Sequence, residues 1–111
     1  MSDEVLAPSI EPFGAALRAA MSARGMSFRD LESRSLVPVG NLHDHVSGKR
    51  SVPGNELLCR IAEGLRVEPS YFREWRERRL VEPLREAPEL ALELWRRAEK
   101  GSLSRSRLVD G

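Results

Sequence analysis

The fold is decided by residues 27 to 50, which read SFRDLESRSLVPVGNLHDHVSGKR. Ser27 is a typical helix N-cap, and Asp30 stands where its carboxylate can bond back to the Ser27 amide, so a helix is predicted to begin directly after the cap. Pro38 cannot donate a backbone hydrogen bond and disfavours helix before it, so one helix ends and another begins there. Gly48 is placed to end this second helix. The spacing predicts a helix-turn-helix.

The whole chain is short, nearly neutral and poor in cysteine. It has 111 residues, a formal net charge of +1 and one cysteine, Cys59. The length favours one domain with an appendage, and a lone cysteine excludes an internal disulfide and the usual zinc-ligand spacings. With so little net charge, any nucleic-acid binding must come from a local basic patch. We find no apolar run that predicts a membrane span and no N-terminal signal sequence, and we expect no cofactor.

Apolar residues recur at helical spacing along the rest of the chain, and no stretch alternates with the period of a strand. A first helix is predicted from Pro12 to Arg24, a fourth around residues 57–65, and a fifth from Pro69, with a break between residues 81 and 88. A last helix is predicted from residue 88 to about residue 100. The expected divisions are a flexible lead (1–8), a DNA-binding domain (9–80), a C-terminal helical extension (81–100) and a disordered tail (101–111).

Residues 13–72 resemble the DNA-binding domain of the Xre/Cro family of phage and bacterial repressors. The resemblance rests on the Ser27 cap, the SGKR turn at 47–50, Pro53, and the LLCRIAEGL stretch at 57–65. It implies an all-α chain in which a five-helix, lambda-repressor-like helix-turn-helix domain carries one additional C-terminal helix. The stretch from Asn41 through SGKR, with PSYF at 69–72, is also similar to actinobacterial regulators that add a C-terminal dimerisation helix.

Four positions depart from the family pattern. Glu32 stands where the family has a small residue, Phe28 where it has a glutamine that contacts the DNA, and Leu36 and Arg66 where it has glycine. Because glycine adopts a positive φ without strain, we expect a wider turn or a shifted helix at Leu36 and a strained or altered cap at Arg66.

The predicted probe helix, helix 3, carries the candidate base contacts on its outer side, because Leu42 and Val46 face inward. These candidates are Val39, Gly40, Asn41, His43 and Asp44. Asparagine can pair with adenine, aspartate can accept from cytosine, and valine can touch a thymine methyl group. His43 is alternatively a solvated surface residue, and His45 is expected to pack near the core. Neither histidine is expected to bind a metal.

Four cations that flank this helix, together with the neutral Ser47 at its end, are candidate phosphate contacts. The set comprises Arg29, Arg34, Ser47, Lys49 and Arg50. Contacts of this kind position a protein on the duplex without reading its sequence. The alternative for the arginines is a solvated face with surface ion pairs.

A few phosphate contacts bind weakly, which favours a dimer on a palindromic site. The candidate interface residues are aromatic or leucine: Phe72, Trp75, Leu80, Leu84, Leu90, Leu94 and Trp95. Tryptophan is common at interface hot spots. The alternative is that these residues pack within one chain, against the first and fourth helices.

The sequence is compatible with two functions. The first is a sequence-specific transcriptional regulator, a homodimeric repressor or developmental switch that reads double-stranded DNA in the cytoplasm, associated with the nucleoid. The alternative is a protein-interaction module on the same fold, an antitoxin-like or adaptor protein with weak or no specific DNA binding, which Asp44 and the low net charge favour. An enzyme is not expected, because no nucleophile with a histidine and an acid, no phosphate loop and no metal-ligand cluster stands out.

Overall fold

The structure is a computed structural model that describes residues 4–110, with side chains described as far as Gly101. These residues form helices and no strand. The helices are α1 (Phe13–Arg24), α2 (Phe28–Ser35), α3 (Val39–Ser47), α4 (Asn55–Leu65), α5 (Arg73–Arg79), α6 (Val81–Glu86) and α7 (Pro88–Asp110). A single 3-10 turn, Pro69–Tyr71, lies between α4 and α5. Within the described range, no helix combines the length and apolar character needed to cross a bilayer.

Local capping fixes the ends of α1 and α2. Gly25 ends α1 with a φ of 63°, and the N–H of Met26 donates to the carbonyl of Met21 at 2.9 Å. The predicted capping box is confirmed: the Oγ of Ser27 accepts from the Asp30 N–H at 3.1 Å, and the Oδ2 of Asp30 accepts from the Ser27 N–H at 2.9 Å. These hydrogen bonds hold the pKa of Asp30 below its usual value, because they favour the carboxylate.

The chain divides into two units, residues 1–78 and residues 79–111. The first unit has one core, built by α1 to α4 and the segment around the 3-10 turn. Its largest fully buried side chains are Leu17, Val37, Leu31, Leu42, Leu58, Ile61, Leu65 and Phe72. Burial of this apolar surface is the main favourable term in folding. The buried Tyr71 donates its hydroxyl to the carbonyl of Ala16 at 3.0 Å, which ties the turn to α1.

Two glycines allow helices to approach closely. A Cβ at Gly14 would collide with the carbonyl oxygen of His45, so α1 and α3 touch backbone to backbone. A Cβ at Gly64 would lie 3.0 Å from the Cδ1 of Leu31, which brings α4 against α2. The position of α3 is therefore set by α1 on one side, and that of α2 by α4 on the other.

The end of α4 carries the strained cap that the sequence predicts. Arg66 has a φ of 59°, the left-handed conformation that glycine adopts at lower cost. The buried Arg24 compensates from α1: its Nε donates to the Leu65 carbonyl at 3.1 Å and its Nη2 to the Arg66 carbonyl at 2.9 Å. The guanidinium thus supplies hydrogen bonds to two carbonyls at the end of α4, which have no N–H donor from a following helical turn.

The predicted fifth helix is wrong as a continuous element. The 3-10 turn that begins at Pro69 ends at Tyr71, Phe72 is extended, and α5 begins only at Arg73. The break predicted between residues 81 and 88 is found at Ala87, before Pro88, and a second break lies at Leu80; Pro83 does not interrupt α6, because it lies in the first turn, where proline is tolerated.

The second unit contains α6 and α7. The last helix extends through Gly101 to Asp110, where the sequence predicts disorder from residue 101. A single glycine costs a helix only about 1 kcal/mol relative to alanine, so it need not end one.

Candidate nucleic-acid interface

The turn between α2 and α3 contains Leu36, Val37 and Pro38. It is not widened by the missing glycine, because Leu36 itself adopts the left-handed conformation with a φ of 62° and a ψ of 23°. Its N–H donates to the Glu32 carbonyl at 2.8 Å, and its side chain is 75% exposed. The wider turn or shifted helix expected at Leu36 does not form. Instead, the backbone of Leu36 itself is strained.

The side chain of Arg60, in α4, forms hydrogen bonds with the backbone at this turn. Its Nε and Nη2 donate to the Ser35 carbonyl at 3.2 and 3.0 Å, and Nη2 also donates to the Leu36 carbonyl at 3.1 Å. The buried Ser35 hydroxyl donates to the Leu31 carbonyl at 2.7 Å and accepts from the Val37 N–H at 3.2 Å. The polar groups of a strained turn are thereby satisfied, which fixes the angle at which α3 leaves α2.

A residue of α2 caps the start of α3. Pro38 is the N-cap and offers no side-chain acceptor, but the Oε2 of Glu32 accepts a hydrogen bond from the Val39 N–H at 2.9 Å. The carboxylate also places a negative charge at the positive end of the α3 dipole. Sequence reasoning missed this role of Glu32, although the exchange of a small residue for a carboxylate at this point was a visible signal.

The inner side of α3 is buried. Leu42 is fully buried and His45 is 3% exposed, so the prediction that His45 packs near the core is confirmed. Its ring meets the ring of Phe13 edge-on, with centroids 5.5 Å apart. Burial, with a smaller contribution from the positive charge of Arg50, lowers the pKa of His45.

The outer side of α3 carries the five candidate base contacts. Gly40 and His43 are exposed, while Val39, Asn41 and Asp44 are half-buried. No atom lies within 4 Å of the place where a Gly40 side chain would begin. The helix therefore presents open backbone at this position.

Phe28, at the start of α2, stacks on His43. The two ring centroids are 3.8 Å apart and the planes are inclined by 27°. A groove of about 490 Å³, lined by residues of α1, α2 and α3, lies beside this pair. The stack restricts the imidazole and brings the first turn of α2 next to the outer side of α3, so Phe28 is a second residue that sequence reasoning did not assign to the site.

Arg50 folds back onto α3 from the loop that follows it. Its Nη2 donates to the Oδ1 of Asn41 at 2.9 Å and lies 3.6 Å from the Oδ2 of Asp44. Ser47 donates its hydroxyl to the Asp44 carbonyl at 3.2 Å. Of the predicted residues, the structure thus brings Asn41, Asp44 and Arg50 into one polar cluster, in which a cation faces the acidic side chain.

The other predicted phosphate contacts are exposed cations. Arg29 and Lys49 make no hydrogen bond or ion pair with any residue that the structure describes. Arg34 is exposed and lies near enough to Asp30 to help lower the pKa of that carboxyl. These three side chains are available to an anionic ligand.

Phe72 has to be removed from the predicted dimer interface. It is fully buried, with its ring centroid 4.7 Å from that of Phe13, so it belongs to the core of its own chain. Trp75 is partly buried against the same core. Leu84 is half-buried, whereas the exposed candidates are Leu80, Leu90, Leu94 and Trp95.

In the part of the chain that the structure describes, no group of three or more His, Cys, Asp or Glu side chains could hold a metal ion. Comparison with known proteins gives no match for this chain among family models, curated proteins or solved structures.

Proposed function

We propose that this protein is a sequence-specific DNA-binding transcriptional regulator of the Xre/Cro helix-turn-helix type, which binds double-stranded DNA as a homodimer in the cytoplasm. In this proposal, α2 lies across the DNA backbone and α3 enters the major groove. The observation that carries it is the outer side of α3: a short helix, held by Arg60 and Glu32 at its start, presents Gly40 and His43 to solvent, with the half-buried Asn41 beside them.

The distribution of charge supports the same proposal. Arg29 and Lys49 lie in the chain on either side of the turn and probe helix, and neither is neutralised by a described neighbour. The one acidic residue of α3, Asp44, is faced by the Arg50 guanidinium at 3.6 Å. Arg50 therefore offsets the negative charge of Asp44, which would otherwise repel phosphates when α3 approaches DNA.

Salt-dependent duplex binding tests the proposal. Lys49→Ala is expected to weaken binding to all duplexes and to lower the salt slope by about one. Asn41→Ala and His43→Ala are expected to change the preferred sequence. Equal losses on every duplex for all three variants would contradict base readout by α3.

The homodimer is proposed to form through the second unit. Leu90 and Leu94, one helical turn apart on α7, are 48% and 42% exposed, and a second copy of the chain would bury this apolar surface. Charge along α7 is uneven: Glu89 precedes Leu90 and Glu93 precedes Leu94, whereas the charged residues that follow are basic except for Glu99, namely Arg96, Arg97 and Lys100. In a two-fold antiparallel pair, the acidic part of each helix faces the basic part of the other.

A matched pair of variants tests the dimer. Leu92 and Leu94 are similarly exposed, at 46% and 42%, but they point to opposite sides of α7 because successive residues rotate by about 100°. Leu94→Glu is expected to give a monomer in light scattering, while Leu92→Glu remains a dimer with the same helical content. Unchanged mass for both variants would contradict this interface.

The alternative is a protein-interaction module on the same fold, antitoxin-like or an adaptor, with weak or no specific DNA binding. It is favoured by the formal net charge of +1 and by the absence of Arg and Lys from α3. No duplex binding at low salt by a folded, dimeric chain would select this alternative.

A further inference from the structure

Arg50 is held in a place that its position in the sequence does not suggest. The chain reverses at Gly48, which has a φ of 82°, and the Arg50 N–H donates back to the Asp44 carbonyl at 3.2 Å. The guanidinium then returns over the outer side of α3, where its Nη2 meets Asn41 at 2.9 Å and Asp44 at 3.6 Å. A loop residue thus supplies the positive charge that the helix itself lacks.

Two acceptors orient this guanidinium while leaving much of it unused. The contacts to Asn41 and Asp44 are both made by Nη2. The N–H groups on Nε and Nη1 have no partner among the residues that the structure describes, and 47% of the side chain is exposed. Nη2 carries two N–H groups and makes one hydrogen bond, so its second N–H, together with an N–H of Nη1 or Nε, leaves one edge of the guanidinium as a fork of donors next to the candidate base contacts.

Lys49 provides the contrast. It is exposed and makes no hydrogen bond or ion pair with a described residue, so its ammonium group is free to follow any nearby anion. A phosphate contact needs only such a charge. A base contact needs donors in a fixed geometry, and guanine offers two acceptors, O6 and N7, that match a guanidinium in the major groove.

We infer that Arg50, oriented by Asp44 and Asn41, reads a guanine in the major groove, whereas Lys49 contacts phosphate. This inference rests on the proposed DNA-binding function and revises the predicted role of Arg50 from phosphate contact to specificity-determining residue. Asp44 is then a positioning residue, which holds the arginine instead of accepting from cytosine. The preferred site contains a G·C pair in each half-site that no residue of α3 alone would select.

Selection from a random duplex pool tests the inference with the full-length chain. The wild type is expected to enrich one G·C position that Arg50→Ala and Arg50→Lys no longer enrich, since lysine keeps the charge but not the fork. Replacing that base pair is expected to cost the wild type about tenfold in affinity, and the Arg50 variants close to nothing. Lys49→Ala, the matched control, is expected to keep the motif and bind every duplex more weakly.

A modified base gives an independent readout. Placing 7-deazaguanine, which lacks the N7 acceptor, at the selected position is expected to weaken wild-type binding and leave Arg50→Ala unchanged. Asp44→Asn is expected to reduce the preference for guanine while the chain keeps its helical content and melting temperature.

The outcomes separate the two claims. A motif that Arg50→Ala retains at every position, with a uniform loss of affinity, would overturn the role of Arg50 and leave the DNA-binding function standing. A wild-type chain that enriches no sequence would overturn both.

Discussion

The Oε2 of Glu32 accepts a hydrogen bond from the backbone N–H of Val39 at 2.9 Å, so a residue of α2 caps the first turn of α3. The same arrangement recurs at α1, where the Oε2 of Glu74 accepts from the Phe13 N–H at 3.1 Å. In both helices the N-cap is a proline without a side-chain acceptor. A distant glutamate therefore replaces the local cap at the start of each.

Removing the Glu32 cap is expected to loosen α3. Glu32→Ala should lower the free energy of unfolding by about 1 kcal/mol, as for the loss of other N-caps, and should weaken duplex binding because the first turn of α3 frays. Chemical denaturation and duplex titration measure the two effects. Glu32→Gln, which keeps an acceptor oxygen, is the control and should retain most of both. Equal losses of stability and duplex affinity in the alanine and glutamine variants would show that the acceptor oxygen of Glu32 does not stabilise α3.

Relief of the strained turn is expected to stabilise the protein. Leu36 holds a φ of 62° with a 75% exposed side chain, so replacing it removes strain and little buried surface. Leu36→Gly should raise the free energy of unfolding by up to about 1 kcal/mol. Leu36→Ala, which retains a Cβ and hence the strain, should not. A lower stability for the glycine variant would mean that the exposed leucine contributes contacts that outweigh the backbone cost.

Two glycine substitutions are expected to act in opposite directions. Gly14→Ala forces a Cβ into the carbonyl of His45 and should cost about 1 to 3 kcal/mol by separating α1 from α3. Gly40→Ala meets no atom within 4 Å and should stabilise α3 by up to about 1 kcal/mol. If α3 enters the groove closely at this point, Gly40→Ala nevertheless weakens duplex binding. A stabilised variant with full affinity would place Gly40 away from the DNA.

Acidification is expected to destabilise the fold through His45. Its pKa is lowered from 6.5 by burial and by Arg50, against a smaller opposite effect of Asp44. The unfolded chain therefore binds a proton that the folded chain resists, so the free energy of unfolding falls as the pH drops below 6.5 toward the lowered pKa. His45→Leu should flatten this part of the curve, and His43→Gln should not. Equal loss of stability in His45→Leu and the wild type between about pH 7 and 5 would assign the effect to other groups.

Features set by neighbouring residues could be predicted from the sequence. The capping box of Ser27 and Asp30 and the helix ends at Gly25 and Gly48 depend on side chains and backbone within a few positions of each other. Burial of His45 could also be predicted, because its position on α3 follows from helical spacing alone.

Features that depend on tertiary packing could not be predicted from the sequence. The capping of Phe13 by Glu74 joins residues 61 positions apart, and the return of Arg50 onto Asn41 depends on the left-handed turn between them. Phe72 illustrates the same limit: an aromatic residue near the end of a domain fits a core or an interface equally well until its neighbours are known. Only the packing of Phe72 against Phe13 decides between the two.

The proposal that the outer side of α3 enters DNA is tested most directly by mapping backbone amide shifts of the full-length chain during titration with duplex DNA. The account predicts that the largest changes fall on residues 39–50, with smaller ones at Arg29, and that they fade as salt is raised. Changes confined to α6 and α7, or none at low salt, would contradict it.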